Sequence, residues 1–590
     1  MKRLEFHFAD YIVMVIFLAI SSAIGIYYGF YKKQRTTEEY ILGNRKLHFV
    51  PVALSLAVTF QSAVSIIGYP GEIYLYNTMV LYTTFGISIA YLIQAFFIVP
   101  LVHPLRLTSA YELLYVSIVL YSPALALEAV AGFPVWLSIV LIGVLGTFYT
   151  AIGGMRTVVW TDTFQFVILY GGLTVILILS VMEIGSISAV FDLSLKGGRI
   201  KFDEINPDPR VRHTVWGCII GGAFNTLPNC CSQSAIQRIS SIEKSKDAKI
   251  AAALNIPLAV IFIVILILTG LVLYAYFVIK ACDPLANEQV SNPNQLMIYF
   301  VMKALRDVPG LAGVFLAAMF SGALSTLSSG INSMATNALQ DILCDYLKEA
   351  QQIKKTFILK LLVLVYGILA VVFAYLSQYL TAPVTQMGST AFGAAGGPVV
   401  GIFFLGAVFP AANKKGAFIG GICSIAINMW IALGSFMYGN KAPLSKPVTT
   451  SGCYQNETDL PELNITLPTG SSTFENSFSR YKNNTTSMDI LVSQYSTNEN
   501  HLAIYDLSYV WLGFIGFMIA IIIGLAVSLI TGKDKDSPTE QIYILPFLRR
   551  VWTFDEPALH GHTGSEYSLV AMDEEVVIDS KKNNITELVY

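Results

Sequence analysis

Apolar residues run through this chain in blocks of about twenty, the length that crosses ~30 Å of hydrocarbon as a helix. The blocks lie near 9–31, 48–71, 79–104, 112–131, 133–154, 157–184, 213–236, 248–279, 309–343, 357–378, 380–410, 416–438 and 506–531. This pattern predicts an all-α polytopic membrane protein with about 13 transmembrane helices.

Polar residues interrupt some blocks where a simple anchor would have none. "SLAVTFQSAVSIIGYPGE" carries Ser55, Thr59, Gln61, Ser62 and Ser65, then reaches Gly68, Pro70 and Gly71. Hydrocarbon offers no hydrogen bonds, so polar or unwound backbone survives there only inside protein or along a cavity. Broken helices of this kind expose carbonyls to cations in secondary transporters, often at paired positions of two inverted repeats. A matching segment lies five blocks on, "GGAFNTLPNCCSQSAIQR", 221–238, with Asn225, Pro228, Asn229 and Gln233. The expected architecture is therefore two inverted five-helix repeats with broken helices, about 48–184 and 213–410. The eleventh block, "APVTQMGSTAFGAAGGP", 382–398, is broken in the same way by Pro and Gly.

Charge sets the orientation. Only 13% of the 590 residues are charged, mean hydropathy is +0.61 and the net charge is −2. A soluble domain carries about 25% charged residues, and nothing here favours nucleic acid. With the N-terminus outside, the inner loops collect Lys32, Lys33, Arg35, Arg45 and Lys46, then Arg106, Arg156, Arg238, Lys244, Lys246 and Lys249. Lys348, Lys354, Lys355, Lys414, Lys415, Lys533 and Lys535 follow the same bias. The membrane domain then spans 1–531, with an outer loop at about 439–505 and a cytoplasmic tail at 532–590. The outer loop clusters acceptor sequons at Asn456, Asn464, Asn483 and Asn484, so it is expected to be glycosylated. The sequon at Asn584 falls in the tail and should go unused. Cys282 and Cys453 are the two cysteines in outer loops. An oxidising exterior lets them pair, and two unpaired thiols are the alternative.

Candidate chemistry is sparse. The seven cysteines form no C-x-x-C pair, and the seven histidines sit in loops, tails or at span edges. No nucleophile–base or metal constellation marks an enzyme, and no cofactor is expected. The most polar core block is "MFSGALSTLSSGINSMATNALQD", 319–341. Ser325, Ser328, Ser329 and Asn332 share a helix face at i, i+3, i+4, i+7. Neutral oxygens suit a hard, weakly held cation such as Na⁺. Small Ser, Thr and Gly residues equally suit close helix packing. Asp162, in "GGMRTVVWTDTFQ", is either a functional carboxylate at membrane depth or a helix cap at the interface.

"TVVWTDTFQ", "SGALSTLSSGIN", "TFQSAV", "PDPRVRHTVWG" and "CDPLANEQVSNPNQLMIYFVM" resemble the sodium:solute symporter family. Within it the chain is similar to the monocarboxylate, multivitamin and iodide branch, over about 9–531. The resemblance implies a thirteen-helix inverted-repeat fold with an outer N-terminus in the plasma membrane. It implies a main sodium site from the carbonyls of Val58, Gln61 and Gly322, with unwinding near Val58–Gln61 freeing the backbone there, and the hydroxyls of Ser325 and Thr326. A second sodium region would involve Asp162, Ser328 and Ser329, with Asn332 at a further coupling position. The substrate cavity would be lined by Phe60, Gln61, Ser65, Thr226, Gln386 and Phe392.

Two departures stand out. After "TSAYE" about twenty residues that the family carries are missing, so 112–131 gives a short fourth span. "PNCCSQSAIQRI" is shorter than the family's seventh-span motif and lacks its Tyr-Gly.

The reading is a Na⁺-coupled importer of a small organic anion, monocarboxylates such as lactate, pyruvate or short-chain fatty acids first. Biotin or pantothenate, iodide, and a transport-impaired splice form or sensor on the same fold are the alternatives. Na⁺ as the coupling ion is the sole metal expected, and the bilayer the sole macromolecular environment.

Overall fold

The computed structural model describes residues 7–31, 36–101, 112–290, 292–343, 345–347, 351–377, 388–390, 392–440, 445, 447–453, 502–532, 544–545 and 548. Among these residues the regular structure is helical and no strand occurs. The helices used below are α1 Phe8–Ile26, α2 Phe49–Phe60, α3 Ala63–Leu75, α4 Thr83–Ile93, α5 Glu112–Ala131, α6 Val135–Ile184 and α7 Val215–Cys230. They continue as α8 Gln233–Ile239, α9 Ser245–Ile279, α10 Leu311–Asn337, α11 Gln352–Ser377, α12 Gly397–Val408, α13 Lys414–Tyr438 and α14 Leu512–Thr531.

Nine helices among the described residues are long and apolar enough to cross a membrane, or ten with the bent pair α2 and α3. The helices depart from the sequence blocks at three places. Blocks 133–154 and 157–184 run together as α6, which has 50 residues. At ~1.5 Å per residue that is ~75 Å, over twice a bilayer core. The backbone leaves helical geometry once in α6, at Gly154, with φ 56° and ψ −160°. Glycine takes that positive φ at little steric cost. In the fourth block the described apolar stretch is only Val116–Glu128. The seventh block is split between α7 and α8, at Cys231 and Ser232.

α10 is the central post of the bundle. Every residue from Phe315 to Asn337 is buried, and α6, α5, α2, α1 and α11 all pack on it. Its Gly, Ala and Ser content lets neighbours approach closely where apolar driving force is absent. Asp10 fixes its N-terminal end, accepting from Gly313 N–H on Oδ1 and from His7 N–H on Oδ2, both at 3.0 Å. A carboxylate at a helix N-terminus meets free N–H groups and the positive end of the dipole.

α12, α13 and α14 form a second tight packing group. Asn428 on α13 donates to Gly393 O at 3.1 Å and to Leu512 O at 2.9 Å. Inside the tail, Leu545 N–H donates to Ala407 O at the end of α12, 3.0 Å away.

Near the C-terminal end of α3, the buried Glu72 takes a two-point ion pair from Arg212, with Nε to Oε1 at 2.6 Å and Nη2 to Oε2 at 3.1 Å. His213 lies beside them, within hydrogen-bond distance of Tyr509 Oη at 2.9 Å. Cys282 and Cys453 are joined by a disulfide. The sequons at Asn456, Asn464, Asn483 and Asn484 lie outside the described residues.

Candidate functional site

The site is built on the break between α2 and α3. α2 ends at Phe60, Gln61 has φ −94° and ψ 84°, and Ser62 is extended with φ −86° and ψ 163°. The two halves meet at 55°. The break falls at the end of the Val58–Gln61 stretch where unwinding is expected from the sequence, while the local helix breakers Gly68, Pro70 and Gly71 lie inside α3. Pro70 forfeits one helical N–H, yet packing around this buried helix carries it on to Leu75.

α10 presses its Ser/Thr face against this break. A Cβ on Gly322 would lie 3.0 Å from both Gln61 O and Ala63 N, so glycine lets the two backbones touch. Thr326 Oγ1 donates to Thr59 O at 2.7 Å and to Gly322 O at 2.9 Å. Thr59 Oγ1 lies 3.3 Å from both Ser325 Oγ and Ser329 Oγ. Carbonyls released from α2 and hydroxyls of α10 therefore converge in one buried place. Gln61 is buried there, and its Oε1 has no hydrogen-bond partner among the described residues. All these donors are neutral oxygens, as a hard monovalent cation prefers.

Beside this cluster the structure changes the sequence reading. Asp162 is fully buried and is no interface cap. Its Oδ2 accepts from Ser55 Oγ at 2.5 Å and from Arg238 Nη2 at 2.9 Å. Arg238, assigned above to an inner loop, is fully buried on α8. Its Nε donates to Ser55 Oγ at 2.7 Å, its Nη1 to Ser234 O at 2.9 Å, and its Nη2 also to Ser329 Oγ. The residue is the counter-charge a buried carboxylate needs. α8 continues past the predicted end of the seventh span and carries it inward. Asp162 Oδ1 has no hydrogen-bond partner among the described residues.

The other predicted residues divide. Ser328 Oγ donates back to Ser325 O in its own helix at 3.0 Å. Asn332 Nδ2 reaches Gln237 Oε1 at 3.4 Å, and Gln237 Nε2 donates to Ile41 O at 2.8 Å. That pair ties α10 to α8. Val58 is buried in α2, Phe60 and Ser65 are half-buried on either side of the break, and Thr226 is half-buried on α7. Gln386 lies outside the described residues, and Phe392 is described only as the start of a π-helical turn ahead of α12.

Sequence reasoning placed none of Ser55, Thr59, Gln237 and Arg238 among the ion-site residues. Ser55 and Thr59 are one turn apart on one face of α2, which was the available signal. Asp162 itself was the signal for Arg238, because a carboxylate at that depth calls for a basic partner.

Comparison with known proteins bears on this site. The profile of the sodium:solute symporter family matches residues 40–111 and 105–424, two pieces that meet where the fourth span is short. Sodium-coupled monocarboxylate transporter 1 from Homo sapiens is 34% identical over 556 residues, covering 90% of this chain and 88% of its own. The Xenopus laevis protein of that name is 33% identical over 561 residues, with 91% and 87% covered. The sodium-dependent multivitamin transporter of Oryctolagus cuniculus is 33% identical over 574 residues, with 92% and 86% covered. The solved structure of a Na⁺-coupled sialic acid symporter superposes with a TM-score of 0.62 at 21% identity, covering 90% of this chain and all of that one.

Proposed function

The chain belongs to the sodium:solute symporter family, and from that premise we propose that it imports small monocarboxylates across the plasma membrane with Na⁺ bound at the α2–α3 break. The observation that carries this reading is Gly322 against Gln61 and Ala63, with Thr326 reaching the freed Thr59 carbonyl. Val58, Gln61 and Gly322 would offer carbonyls, and Ser325 and Thr326 hydroxyls. None is charged, so binding is reversible. A bound Na⁺ would join both halves of the broken helix to α10 and favour the substrate-ready arrangement, which is coupling by differential affinity.

Substrate would sit at Phe60, Gln61 and Ser65, with Thr226, Gln386 and Phe392 from the second repeat. A carboxylate there faces the N-terminus of α3, where unpaired N–H groups and the helix dipole favour an anion. Arg238 is committed to Asp162, so neutral donors do this work. Asp162, Ser328 and Ser329 would form a second cation region, which Arg238 keeps electrically balanced until it moves. Asn332 would couple that region to α8.

A competition panel tests the substrate class. Na⁺-driven uptake of labelled lactate should be suppressed by pyruvate and butyrate and not by biotin, pantothenate or iodide. Suppression by biotin and pantothenate alone would move the assignment to vitamins.

Two further outcomes follow from the same reading. Glycosidase treatment of protein from cells should sharpen and lower its gel band, and Gln at Asn456, Asn464, Asn483 and Asn484 together should remove the shift. A tag at 460 detected only after permeabilisation would reverse the orientation. The fourth span supplies the second outcome. α5 has 20 residues, ~30 Å at ~1.5 Å each, with nothing left for tilt. Inserting the family's segment after Glu112 should raise surface delivery and uptake severalfold. Equal uptake with and without the insertion would remove the short span as a defect.

A further inference from the structure

α3 is the outer half of the broken helix, and the last carbonyls of a helix have no partner within it. Three of them are taken here by distant parts of the chain. Arg199 donates to Tyr74 O from Nε at 3.1 Å and Nη2 at 2.9 Å. Ser445 donates its N–H to Leu75 O at 2.9 Å and its hydroxyl to Tyr76 O. Ser445 opens a strap, described at 445 and 447–453, whose other end is pinned beyond α9. Val448 N–H donates to Asp283 Oδ2 at 3.3 Å. Asp283 N–H donates to Thr449 O at 3.1 Å, and Gly452 N–H to Ala281 O at 2.8 Å. The Cys282–Cys453 disulfide closes the strap covalently. α9 also meets α3 directly, since a Cβ on Gly270 would lie 2.7 Å from Ile73 Cβ.

We propose that this strap is a positioning device for the sodium site: Ser445 and the Cys282–Cys453 bridge clamp α3 to α9, so that motion at the Gln61–Ser62 break is left to α2. Neither Ser445 nor the bridge touches ion or substrate. They act through α3. The two halves are held in different ways. α2 is tied by hydrogen bonds buried at membrane depth, from Ser55 to Asp162 and between Thr59 and Ser325. Those bonds can exchange with a bound cation. α3 is tied at the outer surface by the Ser445 hydrogen bonds to Leu75 O and Tyr76 O, on a strap that the Cys282–Cys453 bridge fastens beyond α9. With α3 fixed, Gln61 O keeps its spacing to Gly322 while α2 swings. With the strap cut, α3 gains freedom that Na⁺ binding must then remove. The ion would bind more weakly, while turnover at saturating Na⁺ would stay near normal.

The inference rests on reading the break as a Na⁺ site, and its test separates the two. The full-length protein, purified, is melted at a series of Na⁺ concentrations, a readout that needs no substrate. Three samples are compared: the native protein, the native protein reduced with a phosphine, and Ser445→Pro. Maleimide labelling at Cys282 and Cys453 follows the reduction. Reduction acts on folded protein, and Ser445→Pro deletes both donors while keeping the bridge. Both should raise the Na⁺ concentration giving half-maximal stabilisation about fivefold, the size expected when one hydrogen-bonded constraint is lost. Uptake in cells treated with the phosphine should show the same shift, with maximal rate within about twofold. An unchanged Na⁺ midpoint after complete reduction overturns the strap's role and leaves the sodium site standing. Absence of any Na⁺ stabilisation in the oxidised protein overturns the site reading and the strap with it.

Discussion

Replacing Arg238 with Ala should remove most of the protein from the cell surface and abolish Na⁺-driven uptake. Arg238 and Asp162 are both fully buried, and the guanidinium serves Ser55, Ser234, Ser329 and the carboxylate at once. Removing it strands a carboxylate at membrane depth. Breaking such a pair costs about 3–5 kcal/mol, a large share of a total stability of about 5–15 kcal/mol. Lysine would keep the charge and lose the fork, since one ammonium cannot reach Ser55, Ser234 and Asp162 together. Arg238→Lys should therefore fold and transport poorly. Arg238→Gln combined with Asp162→Asn removes both charges and keeps amides for the hydroxyl partners. That double variant should recover surface abundance without recovering uptake. Surface biotinylation with parallel uptake checks all three. Normal uptake by Arg238→Ala would show the pair to be dispensable.

Much of this architecture was legible in the sequence because membrane helices announce themselves by length and apolarity. The Ser55–Ser65 run marked a broken helix, since hydrogen-bonding groups in hydrocarbon need a purpose. The break itself falls at Gln61–Ser62, at the end of the Val58–Gln61 stretch where unwinding was expected. Gly68, Pro70 and Gly71 are stronger local breakers than Gln61 and Ser62, yet tertiary packing holds the former inside α3. Gly322 sits at van der Waals distance from the released Gln61 backbone, so the break is placed by the fit of α10 rather than by local propensity. The Ser/Thr face of α10 was readable from its spacing. Its use was not, because helix packing asks for the same small residues. Arg238 was misplaced for a physical reason as well. The charge bias that orients loops counts every arginine near a span end, and it cannot tell a loop arginine from one drawn inward by a carboxylate 76 positions earlier. The strap and Ser445 had no signal, since hydrogen bonds between distant loops leave no periodicity. The cysteines alone pointed there.

Ser325→Ala together with Thr326→Ala should leave the protein at the surface and nearly eliminate uptake at ordinary Na⁺. The substitution deletes the two hydroxyls that meet Thr59 of the broken helix, one at 2.7 Å from its carbonyl O and the other at 3.3 Å from its Oγ1. Small side chains remain on α10, so its close packing survives and the loss of stability should be about 1 kcal/mol per hydroxyl. Each lost ligand should weaken Na⁺ binding by about 1–2 kcal/mol, which together is about 30- to 1000-fold. Gly322 still touches Gln61 in this variant, so a role in packing alone predicts little change.

The most direct test of the sodium site is uptake against Na⁺ concentration for wild type and this double variant, each normalised to surface abundance and carried on the version with the lengthened fourth span. A half-saturating Na⁺ concentration raised at least tenfold, or uptake lost altogether, with abundance within about twofold, is what a cation held at the α2–α3 break requires. An unchanged half-saturating concentration with full uptake would contradict it and return Ser325 and Thr326 to helix packing.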